Sequence, residues 1–151
     1  MIASTQSLVR TAARAVAVAV AGVALSAAPA AAQEYKVIVN SANSTTELPT
    51  AVAVKLFLKQ ATTFPNGSAA SPVDQAKGSA ARVAFSKVVL GRPVSAVESF
   101  WQQQIFSGKD VPPAIKASDD EVVAFVKANP GAIGYVSGGA AVAGVKVVTV
   151  H

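Results

Sequence analysis

Beyond residue 33, the hydrophobic positions alternate between short continuous runs and stripes with a spacing of about four. The runs are rich in β-branched residues and predict strands at residues 35–39, 71–74, 133–136 and 145–150, with a further extended segment at 114–116. The stripes predict four helices between these strands. Alternating strands and helices are typical of an α/β layered fold with at least partly parallel strands.

The starts of the four helices are marked by residues suited to a first turn. The first helix is predicted to begin near Pro49, the second near Ser79 and the third near Ser95 as its cap. The fourth begins with a capping box, in which Ser118 accepts from the N3 amide and Glu121 reaches back to the cap amide. The three consecutive acids at 119–121 therefore complement the positive end of a helix.

Apolar faces on the second and third helices predict which side chains are buried. We expect Trp101 to pack in the core, because aromatic residues at helical spacing are usually buried against the fold. The residues expected to share a face with it are Val97, Phe100 and Ile105, and those expected on the buried face of the second helix are Ala81, Phe85, Val88 and Val89.

The first 32 residues form a segment of different composition. Two arginines precede an unbroken apolar run at residues 15–25, and three alanines follow at residues 30–32. This order is typical of a secretory signal peptide, so we expect cleavage after Ala32 and a single domain at 33–151. A membrane anchor is the alternative, but the apolar run is short, rich in alanine and followed by a serine and a proline. We expect a periplasmic or secreted protein that does not span the membrane after cleavage.

Composition excludes several classes of function. Apolar residues make up 52% of the chain and charged residues 14%, which excludes disorder driven by charge. Cysteine is absent, so disulfides, thiolate metal sites and cysteine nucleophiles are excluded. The single histidine, His151, argues against a catalytic triad and against a metal site built from histidines. We therefore expect no enzyme activity, no catalytic or metal-binding residues and no cofactor.

The charge pattern favours small anions over nucleic acid. Residues 1–32 hold two of the 13 basic residues and none of the eight acidic ones, so the rest of the chain carries a net charge of +3. Its lysines and arginines are scattered singly, without the basic stripe that nucleic-acid binding needs. A weak positive field suits an anionic ligand, and an ordinary solvated surface explains it equally well.

Three segments in a fixed order resemble the phosphate-binding proteins of bacterial ABC transporters. They are VIVNSANSTTELPTAVAVKLFL at 37–58, PNGSAASPVDQAKGSAARVAF at 65–85 and NPGAIGYV at 129–136. The resemblance covers nearly all of the chain after the signal segment. It implies a three-layer α/β sandwich like one lobe of a type II periplasmic binding protein, with phosphate or a related oxyanion as ligand. It also implies an ABC permease or another envelope protein as partner.

The middle segment carries the predicted ligand site. Family members hold phosphate with a serine-glycine-threonine loop, which Gly78 and Ser79 match in part. A helix N-terminus there supplies backbone amides and about half a positive charge, and Arg82 lies one turn on, where it can bind an oxyanion in bidentate fashion. Gln75 stands where the family commonly has an arginine and can donate without charge. Alternatively, Ser79 is only an N-cap.

A second group of polar residues follows the first strand. Ser41, Asn43 and Ser44 are predicted to add donors at the carboxyl end of the sheet, where α/β sheets usually bind ligands. Asx and serine turns explain the same residues equally well. The leading hypothesis is therefore a substrate-binding-type protein for an oxyanion. The alternative is an envelope interaction module that keeps the lobe and has lost ligand binding.

Overall fold

The computed structural model describes residues 34–151, and the expected signal segment at 1–32 lies outside the described residues. In the described part, the elements are β1 Tyr35–Asn40, β2 Glu47–Leu48, α1 Thr50–Phe57, β3 Ser71–Gln75, α2 Ala80–Val88, α3 Val94–Phe106, β4 Ala114–Lys116, α4 Asp119–Ala128, β5 Ala132–Ser137 and β6 Val145–Val150. The predicted strands and helices are all present, and β2 is an additional short strand. None of the helices within residues 34–151 is long and apolar enough to span a bilayer.

The strands form one mixed sheet in the order β2-β6-β1-β5-β3-β4. The central strand β1 is antiparallel to both of its neighbours, β5 and β6. The pairs β2–β6, β3–β5 and β3–β4 are parallel, as the partly parallel prediction requires. As a result, β1 begins beside the ends of β3 and β5. We call the end of the sheet at which β3 and β5 finish the Gln75 edge, and the opposite end, at which β1 finishes, the Asn40 edge.

Helices cover both faces of the sheet. On one face, α1 and α2 pack against alternate residues of β1 and β5, and the buried core includes Leu56, Phe85 and Tyr135. On the other face, Val122 and Val126 of α4 pack against the remaining alternate residues of these strands. This arrangement follows the period of two along a strand, which sends successive side chains to opposite faces. The three-layer α/β fold expected from the sequence is confirmed.

The glycines of the NPGAIGYV segment are required by packing. A Cβ atom at Gly134 would lie 2.6 Å from Cγ1 of Val73 and 2.8 Å from Cγ1 of Val122, and one at Gly131 would overlap the backbone carbonyl of Ala69. Gly134 lies on β5 beneath α4, so the absence of a side chain lets the helix approach the sheet. The two glycines of the segment thus allow the chain around β5 to pack closely against its neighbours.

Some local predictions about the helices need correction. Pro93, not Ser95, is the N-cap of α3, because the proline already supplies the extended backbone from which the helix starts. Trp101 is buried at 5% exposure, as predicted. Val88 and Ile105 were expected on buried faces but are 61% and 53% exposed. Val89, the next residue after Val88, is buried at 4% exposure as predicted, so the core-facing side of α2 continues through Val89 and leaves Val88 outside it.

The predicted capping box of α4 is half present. The Ser118 hydroxyl accepts from the Glu121 amide at 3.3 Å, as expected. The Glu121 carboxylate, however, accepts from the amide of Ala117 at 2.9 Å, one residue before the cap. The side chains of Ser118 and Glu121 thus still accept from two backbone amides at the helix start, which gives Glu121 a capping role there.

Candidate functional site

The second predicted helix start lies at the Gln75 edge. Ser79 is the N-cap of α2, and its hydroxyl oxygen accepts from the Arg82 amide at 3.4 Å. The same hydroxyl donates to Oε1 of Gln75 at 2.6 Å. The capping interpretation of Ser79 is therefore confirmed, and the hydroxyl is shared between the cap and the end of β3.

Gln75 joins three elements at this edge. It is 2% exposed, and its side-chain amide donates to Oδ1 of Asp119 at 2.8 Å and to the Tyr135 carbonyl at 2.9 Å. Asp119, the first residue of α4, also accepts from the Ser137 amide at 3.0 Å. Partial burial opposes ionisation of Asp119, but the hydrogen bonds from Ser137 and Gln75 outweigh it and hold the pKa below its ordinary value.

The Arg82 guanidinium binds to groups inside the domain. Nη1 donates to the Gln75 carbonyl at 2.6 Å, and Nη2 lies 3.4 Å from Oδ2 of Asp74. The hydroxyl of Tyr135 donates to the other oxygen of Asp74, and burial, followed by the charge of Asp74, raises the Tyr135 pKa far above its ordinary value. The Arg82 side chain is 5% exposed, so it supports the loop from beneath and does not face solvent as a ready oxyanion ligand.

The open part of the site is the first turn of α2. Gly78 and Ala80 are exposed, and Ser79 is half-buried. Within residues 34–151 the backbone amides of Ala80 and Ala81 have no hydrogen-bond acceptor, as is usual for the first residues of a helix. A side chain at Gly78 would meet no atom within 4 Å. This turn therefore presents the positive end of a helix to solvent.

A groove of about 970 Å³ begins at Ala80 and runs beside α2. Its lining residues come from the start of β1, one side of α2 and the residues after β5, and they are Glu34, Lys36, Ala80, Val83, Ala84, Ser137, Gly138 and Gly139. Lys36 is half-buried, and its ammonium donates to the Ala140 carbonyl at 3.5 Å. Sequence reasoning missed Lys36, because only the antiparallel pairing of β1 with β5 brings it to this edge.

The second predicted group lies elsewhere. Since β1 is antiparallel to β5 and β5 is parallel to β3, the residues after β1 lie at the Asn40 edge, away from Ser79. Ser41, Asn43 and Ser44 follow the carboxyl end of β1, but the strand directions place them at the opposite end of the sheet from Ser79, so they do not add donors to the turn at Ser79. The side chain of Asn66 donates to Ser44 at 2.9 Å and to Asn43 at 3.3 Å, and Asn43 accepts from the Thr45 amide at 2.9 Å.

These contacts favour the turn interpretation for the group at the Asn40 edge. Asn43 is 6% exposed, and its Nδ2 atom has no hydrogen-bond acceptor in the part of the chain that the structure describes. Asn43 and Ser44 line a cleft of about 470 Å³ with residues of the Asn66 turn and of the turn before β5. Ser41 is exposed beside this cleft and is not among its lining residues.

Comparison with known proteins gives matches in structure only. No protein-family model matches the sequence, and no curated protein matches it. Among solved structures, an ABC-type phosphate transport receptor from Vibrio cholerae matches 78% of this chain with a TM-score of 0.60 and 21% identity. A candidate phosphate ABC transporter substrate-binding protein from Clostridium perfringens, solved with bound phosphate, matches the same share with a TM-score of 0.60 and 19% identity.

A third match is PstS from Borrelia burgdorferi, with a TM-score of 0.55, 10% identity and again 78% of this chain covered. The chain spans less than half of each of these three proteins, namely 46%, 44% and 47% of their lengths. At such identities the likeness concerns the fold. The described residues therefore have the α/β fold of about one half of a phosphate-binding receptor, as the resemblance in the sequence predicts.

Proposed function

We propose that the protein is an exported, non-catalytic binding protein of the substrate-binding type, which takes phosphate or a related oxyanion at the first turn of α2. One observation carries this proposal: Gly78 and Ala80 leave the positive end of α2 open to solvent beside a groove. The fold likeness to phosphate receptors supports the same assignment. Uptake through an ABC permease is part of the proposal.

Elementary electrostatics supports an anion at this position. The aligned peptide dipoles of a helix act as about half a positive charge at its N-terminus, and free amides there donate to oxyanions. Lys36 adds a basic residue to the same groove. Because the turn is open on one side, part of the ion stays in water and the interaction is screened by salt. We therefore expect weak binding that strengthens at low ionic strength.

The test is calorimetric titration of the purified protein with inorganic phosphate. Gly78→Asp introduces a negative charge at the α2 start without a clash, because nothing lies within 4 Å of the added Cβ. We expect this variant to fold and to lose phosphate binding, whereas the isosteric, neutral Gly78→Asn retains it. Absence of binding to the native protein at millimolar phosphate, or equal binding by the two variants, would reject the proposal.

A second function is favoured by a separate observation. The polar atoms of Arg82 and Gln75 that could bind a ligand are largely engaged inside the lobe, and Phe106 at the end of α3 is 97% exposed. Ile105, Val111 and Ile115 are also more than half exposed. Exposed apolar residues of this kind support an envelope interaction module that binds a protein.

Co-purification from an envelope extract distinguishes the two functions. An interaction module should retain a stable partner in the presence or absence of phosphate, and Phe106→Ser should release that partner. For a matched control, Val88→Ser changes another exposed apolar residue, on α2. If Phe106→Ser and the native protein retain the same partners, the exposed end of α3 is not the binding surface.

A further inference from the structure

The groove beside α2 has mostly apolar walls. Ala80, Val83 and Ala84 lie on one side of the helix at a spacing of three and four, and each of them lines the groove. Ser137, Gly138 and Gly139 also line the groove, and the two glycines contribute only backbone atoms. Val83 is 51% exposed, so its side chain is accessible to an occupant of the groove. An inorganic phosphate ion has no apolar atoms that could pack against this surface.

The charges of the groove do not require a purely ionic occupant. Glu34 and Lys36 contribute one acid and one base, so its lining side chains carry no net formal charge. The α2 start is therefore the main source of attraction for an anion, and Lys36 adds a smaller, local contribution. The volume of about 970 Å³ lies in the range, roughly 300–1,000 Å³, of pockets that take whole organic ligands.

We propose that the ligand is an organic oxyanion, such as a phosphomonoester or phosphonate, whose anionic head binds the first turn of α2 and whose organic group lies along Val83 and Ala84. This inference rests on the proposed function and specifies its ligand class. Burial of an apolar group in the groove adds affinity that a bare ion cannot obtain, because apolar surface leaves water. Because the protein contacts the anionic head on one side only, the head alone binds weakly, and the apolar contact determines the affinity.

The test compares three probes by calorimetry at one ionic strength: inorganic phosphate, methylphosphonate and phenylphosphonate. We expect phenylphosphonate to bind at least tenfold more tightly than inorganic phosphate, with methylphosphonate between them. Phenol serves as the control for the ring alone and should bind more weakly than phenylphosphonate.

Two valines of α2 provide a matched pair of variants. Val83 lines the groove, whereas Val88, exposed at 61%, does not. Val83→Gln should bring the ratio of the phenylphosphonate and phosphate dissociation constants close to one. Val88→Gln should keep the native ratio. Since both residues are exposed, neither change is expected to prevent folding.

The outcomes separate this inference from the proposed function. Equal affinity for phosphate and phenylphosphonate overturns the inference and leaves the oxyanion function standing. No binding of any anion overturns both. If phenol binds as tightly as phenylphosphonate, the groove is an apolar site without an anionic end, and the inference fails. An unchanged ratio in Val83→Gln also overturns it, because the organic group then lies elsewhere.

Discussion

Arg82 and Asp74 form an ion pair beneath the start of α2, with Nη2 and Oδ2 separated by 3.4 Å. Both side chains are largely buried, at 5% and 14% exposure. The guanidinium also holds the Gln75 carbonyl, so it ties the helix to the end of β3. The arginine that the sequence marks as an oxyanion ligand is thus a positioning residue for the loop that presents the open amides.

Arg82→Met is therefore expected to lower stability as well as binding. It leaves Asp74 without its ion-pair partner, and loss of one member of a buried pair costs about 3 kcal/mol. Urea unfolding measures the loss. Lys87→Met removes an exposed positive charge from the same helix and should change stability by less than about 0.5 kcal/mol. Equal stability of the two variants would contradict the positioning role.

Lys36→Met should weaken phosphate binding without affecting the fold. Lys36 lines the groove, and its bond to the Ala140 carbonyl is long at 3.5 Å, so little stability depends on it. We expect an affinity loss of about threefold, the size of a solvent-screened charge interaction. Titrations at low and high salt should show the difference shrinking as salt rises.

The control for this variant is Lys55→Met, which removes an exposed lysine of α1 that does not line the groove. It should bind phosphate like the native protein. If both variants lose the same affinity, the effect comes from net charge and Lys36 has no local role.

Asp119 should contribute to loss of stability in acid. Its folded pKa lies below the ordinary value of 3.8, so its contribution is present above that pH and is lost as pH falls through the lowered pKa. Asp119→Asn should therefore show a shallower fall of unfolding free energy below about pH 4. Asp120→Asn removes the neighbouring exposed carboxylate and controls for net charge. Identical acid slopes in the native protein and Asp119→Asn would contradict this assignment.

Gly134→Ala should destabilise the lobe. The added methyl group would lie 2.6 Å from Cγ1 of Val73, which forces β3 and α4 apart. Overpacking of this kind costs about 1–3 kcal/mol. Gly139→Ala is the control, because its added Cβ meets nothing within 4 Å. An unchanged thermal-unfolding midpoint in Gly134→Ala would contradict this prediction, because it would show that the sheet and α4 accommodate the methyl group at no cost in stability.

The sequence predicts the elements of this fold well, because a period of two or of 3.6 is a local property. Two-residue β2 was missed, since it is too short to show a period and exists only through its pairing with β6. The order and direction of the strands were not predictable in the same way. They depend on contacts between residues about 100 positions apart, such as Val37 with Tyr135 and Val148.

The same limit explains what was predicted of the site and what was not. Ser79 as a cap follows from local sequence, and the structure confirms it. Asp74 as the partner of Arg82 is a tertiary contact that no spacing rule gives. Likewise, Asn43 is separated from Ser79 only because β1 runs opposite to β3, which a single sequence does not reveal.

The central position of β1 has a consequence for how the chain folds. The first strand of the described region is flanked on both sides by strands from its last 20 residues. In a growing polypeptide β1 therefore has no neighbour until β5 is complete at residue 137, and it gains its second neighbour only when β6 is complete at residue 150. Pairing between such distant segments is slow. During that delay the backbone donors and acceptors of β1 remain without their final partners, so the sheet is completed only at the end of synthesis of the described region.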